Sequence, residues 1–162
     1  MTRKLTMAAV LTLTSLSICS HAPGQQPATN DAQQPATGTA EDIQLTLQVT
    51  DIKHSEGQLL ICVFDREEGF PRDMKKALKT VEVKPSQPTY QFNDLPPGNY
   101  AIVVIHDRNE SGQLDTNLVG MPKEPVGVSN FQTIGVSNRP TFRKALFAFK
   151  ASGLLKVKLN SF

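Results

Sequence analysis

Ile43, Leu45, Leu47 and Val49 alternate with Gln44, Thr46, Gln48 and Thr50. A period of two predicts a strand with one face on a core and the other in water. Residues 58–65 (QLLICVFD) and 100–106 (YAIVVIH) depart from that rule, because apolar side chains occupy both of their faces. Shorter alternations at Val81 and Val83, at Tyr90 and Phe92, at 146–149 and at 154–159 predict four further strands. Turn chemistry separates these segments. His54-Ser55-Glu56-Gly57 and Ala151-Ser152-Gly153 are turns. Asp94-Leu95-Pro96-Pro97-Gly98 is a tight connection, since neither proline can donate to a ladder. Only 73–78, behind the breaker Gly69-Phe70-Pro71, suits a short helix.

Seven short strands with almost no helix signal predict an all-β, antiparallel β-sandwich. One face of a sandwich strand normally meets water. Two strands that are apolar on both faces therefore require something to lie over one sheet. The segment long enough is the loop 108–143, and Leu118, Val119, Met121, Val126, Val128, Phe131, Ile134 and Phe142 equip it to pack.

The first 40 residues read differently from the rest. Arg3 and Lys4 precede an uncharged run at 5–18 (LTMAAVLTLTSLSI), shorter than the ~20 residues a membrane span needs. This is the build of a secretory signal peptide over 1–24. Cys19 would lipidate the chain if Leu16-Ser17-Ile18-Cys19 served as a lipoprotein signal, but Ile18 is bulky where a small residue is the norm. Ordinary cleavage is therefore the expected reading, in a periplasmic or secreted protein. Residues 25–40 repeat QQPAT and hold one charge, Asp31, which predicts a disordered linker. The folded domain is then 41–162.

Charge and cysteine usage narrow the function. The 162-residue chain has a formal net charge of +2, too small to argue for nucleic acid as a partner. Without Arg3, Lys4 and Asp31, the domain holds 15 basic and 14 acidic residues. Cys62 is its single cysteine, so no disulfide forms within it and the core alone carries stability. In its apolar run Cys62 reads as a small buried hydrophobe.

Candidate chemistry gathers after the most apolar strand. Asp107, Asn109, Ser111 and Asp115 fall at positions one, three, five and nine of a calcium-loop pattern, with Gln113 at seven and Gly112 at the sharp turn. Hard cations take six to eight oxygens, which alternate residues of a tight loop can supply. Leu118 stands where the bidentate carboxylate belongs, so a further ligand would come from Asn117, Asp65 or Glu124. The competing reading is a metal-free network in which Asp107, Asn109 and Asp115 cap their own turn. His106 is either a base or metal ligand, or a strand-end histidine bonded to the covering loop. Ser129 and Asn130 lack the GxSxG pattern of a hydrolase nucleophile and join His106 as candidate ligand-binding residues.

Several motifs together resemble a known family. Phe92-x-Asp94-Leu95-Pro96-x-Gly98-x-Tyr100-Ala101 is similar to the turn-and-strand signature of prealbumin-like and carboxypeptidase-regulatory-like sandwiches. His106-Asp107-x-Asn109-x-x-Gly112-x-Leu114-Asp115, then Gly120-x-Pro122-x-Glu124-x-x-Gly127-x-Ser129-Asn130, then Pro140-Thr141-Phe142-x-x-Ala145 resemble the bacterial secreted family called domain of unknown function 2141. The resemblance covers about 47–159. It implies an exported seven-stranded sandwich of immunoglobulin-like or prealbumin-like type and brings no catalytic residues. The expected function is a non-catalytic binding or envelope-accessory module, monomeric, with an envelope or extracellular partner and calcium as the one candidate cofactor. The alternative is a metal-assisted hydrolase built on His106, Asp107 and Asp115.

Overall fold

The alternation at the start of the domain becomes strand β1 (Leu45–Thr50), with Leu45, Leu47 and Val49 buried and the residues between them half-buried. The computed structural model describes residues 43–162. The expected signal peptide 1–24, the linker 25–40 and Cys19 lie outside the described residues. After β1 come β2 (Gln58–Phe64), β3 (Lys79–Val83), β4 (Thr89–Phe92), β5 (Gly98–Asp107), β6 (Val126–Val128), a single-turn helix α1 (Phe142–Ala145), β7 (Phe147–Phe149) and β8 (Gly153–Lys158). The expected short helix near 73–78 is a 3-10 turn at Met74–Lys76, where the Asp73 carboxylate accepts from the Lys75 N–H. Among the described residues, no helix is long and apolar enough to cross a membrane.

The strands form two sheets. One has the order β4-β1-β8; the other has the order β3-β2-β5-β6, with β7 pairing to the first residues of β5. Two expectations are corrected here. Among the described residues the strands number eight rather than seven, because Val126–Val128 leaves the long loop to pair with Val103–Ile105 of β5. The sheets are also not antiparallel throughout: β8 runs parallel to β1, from Leu45 opposite Gly153 to Thr50 opposite Lys158. Alternation is the same in either direction, so the pattern of Leu155, Val157 and Leu159 could not reveal it. Asn160, just past β8, exchanges backbone hydrogen bonds with Val126 of β6, so one edge of the second sheet is tied to the first.

Facing side chains of the two sheets make one core. Leu45, Leu47 and Val49 meet Leu59, Ile61, Val63, Ile102 and Val104, with Phe92, Phe149 and Val157 closing the ends. The opposite faces of β2 and β5 carry a second apolar cluster of Leu60, Cys62, Phe64, Ala101, Val103 and Ile105. The cover demanded by the sequence is present, in two parts. The loop after β5 contributes Val126, Val128, Phe131, Phe142 and Ala145, and the segment after β2 adds Phe70, Met74 and Ala77. Phe70 joins the two parts by edge-to-face contact with Phe64 at 5.5 Å and Phe142 at 5.7 Å, each pair contributing ~1 kcal/mol beyond the area it buries. Under this cover the Cys62 thiol is pushed up to about 11 by burial, partly offset by a hydrogen bond from Thr80. It is the inert thiol its apolar setting predicts.

Candidate functional site

Strand alternation decides what the end of β5 can do. His106 follows Tyr100, Ile102 and Val104 toward the space between the sheets, while Asp107 follows Ala101, Val103 and Ile105 toward the cover. Adjacent in sequence, the two side chains leave the strand on opposite faces.

His106 is fully buried. Its Nε2 lies 2.9 Å from the Glu56 carbonyl, which can only accept, so that nitrogen carries the hydrogen. Its Nδ1 is buried with no partner among the described residues. The exposed His54 ring sits 6.4 Å away, centroid to centroid.

Asp107 is also buried, and its two oxygens face donors. Oδ1 accepts from the Ser111 N–H at 3.0 Å, and Oδ2 from the Gly112 N–H at 2.8 Å and the Gln58 amide at 3.1 Å. Burial pushes its carboxyl up. The Gly112 N–H, the Gln58 amide and the N–H groups of Ser111 and Glu110 outweigh that and hold it below the ordinary carboxylate range. Asn109 donates to Asp115 at 2.9 Å, and the Ser111 hydroxyl donates to the Gln113 carbonyl at 3.2 Å. The five calcium-pattern residues thus share one loop, and Asp107 is its buried anchor. Among the described residues, no group of three or more His, Cys, Asp or Glu side chains is placed to hold a metal ion.

Of the three further residues considered for that loop, only Glu124 reaches it. Its Oε1 accepts from the Arg108 N–H and its Oε2 from the Asp115 N–H, both at 3.2 Å, so it staples the loop's two ends. Asn117 caps its own turn at Val119 and Met121. Asp65 lies just past the far end of β2, whose first residue Gln58 is the one paired with Asp107.

Ser129 and Asn130 act on the flap, residues 108–146. The buried Ser129 hydroxyl donates to the Ala145 carbonyl at 2.6 Å and accepts from the Ile102 N–H at 3.0 Å. Asn130, at φ +64°, donates to the Leu146 carbonyl at 2.7 Å. Together they pin α1 and the β6 exit to β5.

The comparisons with known proteins bear on this same stretch. Residues 47–155 match the bacterial family described as an uncharacterized protein conserved in bacteria, DUF2141. The chain belongs to this family. No curated protein and no solved structure matches it. The DUF2141 match spans β1 through the start of β8, so it takes in the acidic loop, the flap and both sheets.

Pairing Glu124 with Asp107 gives this DUF2141 domain a pH signature. Burial raises the Glu124 carboxyl above its ordinary value of 4.5, and the negative charges of Asp107 and Asp115 add to this against the N–H groups of Asp115 and Arg108. The folded state therefore holds that proton at pH values where the unfolded chain has released it. Stability should rise as pH falls through the window between the raised value and 4.5. Below the ordinary 3.8 of Asp107 the sign reverses, because the depressed carboxyl stays charged in the fold while the unfolded chain protonates. Melting curves against pH should show a mildly acidic maximum. Glu124→Gln should remove the rise on its neutral side and lose about 1 kcal/mol at neutral pH, since one of two part-buried N–H groups then faces a donor. A Glu124→Gln profile parallel to that of the parent protein would show that another group titrates.

One further feature of the site gave little sequence signal. A groove of about 320 Å³ opens between the flap and the turn at Pro71 and Arg72. Its apolar floor includes Val126 and Val128 of β6, and neither His106, Asn109 nor Ser129 lines it. Leu118 and Val119, expected to pack, stand in solvent, and so does Val136.

Proposed function

We propose that this protein is an exported, non-catalytic β-sandwich module of immunoglobulin-like or prealbumin-like type that acts by contact through its flap. The observation that carries the reading is the division of labour within 108–146. Phe131, Phe142 and Ala145 are buried against the five-stranded sheet, whereas Val119 is 82% and Val136 68% exposed beside a groove. Large apolar side chains clustered in water beside a concavity mark interaction surfaces. The charged start and apolar run at 3–18 support export to the periplasm or beyond, and a monomer is the expected state. The non-catalytic reading draws support from His106 and Asp107, which leave β5 on opposite faces, and from Ser129, whose hydroxyl is spent inside the fold. We therefore move the ligand-contact role from His106, Ser129 and Asn130 to Val119, Val136 and the groove they line. The acidic loop is read as self-capped, with calcium at Asp107, Asn109, Ser111, Gln113 and Asp115 as the alternative that the Asp107 variants below test.

A photo-crosslinking residue at Val119 or Val136 in living cells should yield adducts with an envelope or extracellular partner. The same residue at Leu78 or Leu154, also exposed but away from the groove, should not. Adducts at all four positions, or at none, would remove the flap's claim.

A further inference from the structure

We propose that the flap groove binds a single-chain carboxylate amphiphile, a fatty-acid anion, with its acyl chain on the apolar floor and its headgroup between Arg72 and Arg139. The assignment rests on the flap being the contact surface and names what it contacts.

Shape supplies the first argument. The groove holds about 320 Å³, at the small end of ligand sites. That suits one slender chain rather than a protein segment with bulky side chains. Leu114, Met121, Val126, Val128, Ile134 and Val136 line it, and none of these offers a hydrogen bond from its side chain. The floor is fixed: β6 pairs with β5 on one side and exchanges hydrogen bonds with Asn160 on the other. With both edges of β6 engaged, an extended peptide cannot dock by adding a strand there. A hydrocarbon chain needs no such edge.

Charge supplies the second. Arg72 and Arg139 both line the groove, no Asp or Glu does, and Phe162, with its α-carboxylate, lines it as well. Neither arginine enters an ion pair among the described residues, a state they share with most of the lysines and arginines there, so what sets these two apart is their place beside an apolar groove. Arg72 gives one 3.3 Å hydrogen bond to the Gly120 carbonyl, and Gly120 at φ +77° brings that carbonyl to it. The rest of its guanidinium fork stays open to a planar carboxylate. The groove thus sets two guanidinium groups beside an apolar floor, which is the complement of an amphiphilic anion.

The third argument is the exposed rim. Val119 and Val136 line the groove and Leu118 adjoins Val119, all in water. A bound acyl chain would shield the first two.

The test uses the full chain and three probes of one chain length, each below its micelle concentration or solubility limit: dodecanoate, dodecanol and dodecyltrimethylammonium. Calorimetry should show one dodecanoate per chain, bound at least about 10-fold more tightly than dodecanol, since charge-assisted hydrogen bonds from the arginines would be absent for the alcohol. The cation should not bind. Arg72→Gln with Arg139→Gln should bring dodecanoate down to the alcohol's affinity. Val136→Asp should abolish binding with the melting temperature unchanged, because the position is exposed. Equal binding of acid and alcohol, unsaturable binding, or an unaffected double-arginine variant would overturn the proposal. So would a dimer in sedimentation that Val136→Asp dissociates, which would make a second copy the occupant. If no probe binds while adducts still form at Val119 and Val136, the ligand class is wrong and the contact surface stands. If neither occurs, both fall.

Discussion

Gly57→Ala is expected to lower stability by about 4 kcal/mol, combining left-handed backbone strain with an unrelieved clash. Gly57 adopts φ +71°, and a Cβ there would lie 2.2 Å from the Asp107 carbonyl oxygen and 2.6 Å from the Arg108 Cα. Both are backbone atoms at the end of β5, so no side chain can swing aside. Relief would require the β2 entry to part from β5 where Gln58 pairs with Asp107. That would also pull the Glu56 carbonyl from His106. Gly112→Ala is the control. Its φ is +73°, but nothing lies within 4 Å of the added Cβ, so it should cost only the backbone term of ~1 kcal/mol. Urea denaturation of the pair separates clash from strain. Losses within about 1 kcal/mol of each other would mean that the β2 entry yields and that this crossing is not tightly held.

How far such features can be foreseen depends on the range of the forces behind them. The strands around Leu45, Leu59 and Val103 announce themselves because burial is written residue by residue into their alternation or its absence. The need for cover over Cys62, Phe64, Val103 and Ile105 followed from the same pattern. The strand Val126–Val128 did not, because three residues around a glycine carry no period. They become a strand only because β5 and Asn160, far apart in the chain, offer hydrogen-bonding edges on either side. Gly127 itself is read in hindsight: a Cβ there would meet Val157 at 2.6 Å, so the glycine lets the two sheets approach. The share of cover supplied by Phe70 and Met74 was missed because a breaker at Pro71 hides a packing segment.

At the site, oxygen-bearing residues at alternate positions from Asp107 to Asp115 were legible, but their use was not. A sequence gives the ligand types and not the direction in which lone pairs point. The Asp107 oxygens face Ser111, Gly112 and Gln58, and Gln58 lies on another strand. Glu124 was visible as one of three carboxylate or amide candidates, and only the hairpin joining Thr116 to Pro122 brings it back to the loop. That Arg72 and Arg139 line one groove had no local trace at all, since it depends on two distant segments converging over one sheet.

Asp107→Ala should lower stability by about 3 kcal/mol in the absence of any added metal, because it leaves three part-buried donors without their acceptor. These are the N–H groups of Ser111 and Gly112 and the Gln58 amide, and Asp107 itself is wholly buried. The same substitution should flatten the acid limb of the stability profile, since the depressed Asp107 carboxyl contributes stability that is lost as pH falls through its folded value. Exposed pairs such as Arg66 with Asp65 contribute to that limb as well, but salt screens them. Asp115→Ala should differ sharply. That carboxylate accepts only from the exposed Asn109 amide, so its loss should cost under about 0.5 kcal/mol. The contrast separates a self-capped loop from a cation-organised one. If calcium were the organiser, both substitutions would cost stability with calcium present, and chelator would erase the difference between each variant and the parent. If Asp107 is the acceptor at the heart of the loop, its variant is weakened equally with calcium and with chelator, while Asp115→Ala is nearly silent in both. An Asp107→Ala loss below about 1 kcal/mol without metal would show that water replaces the carboxylate and that Asp107 does not anchor the flap.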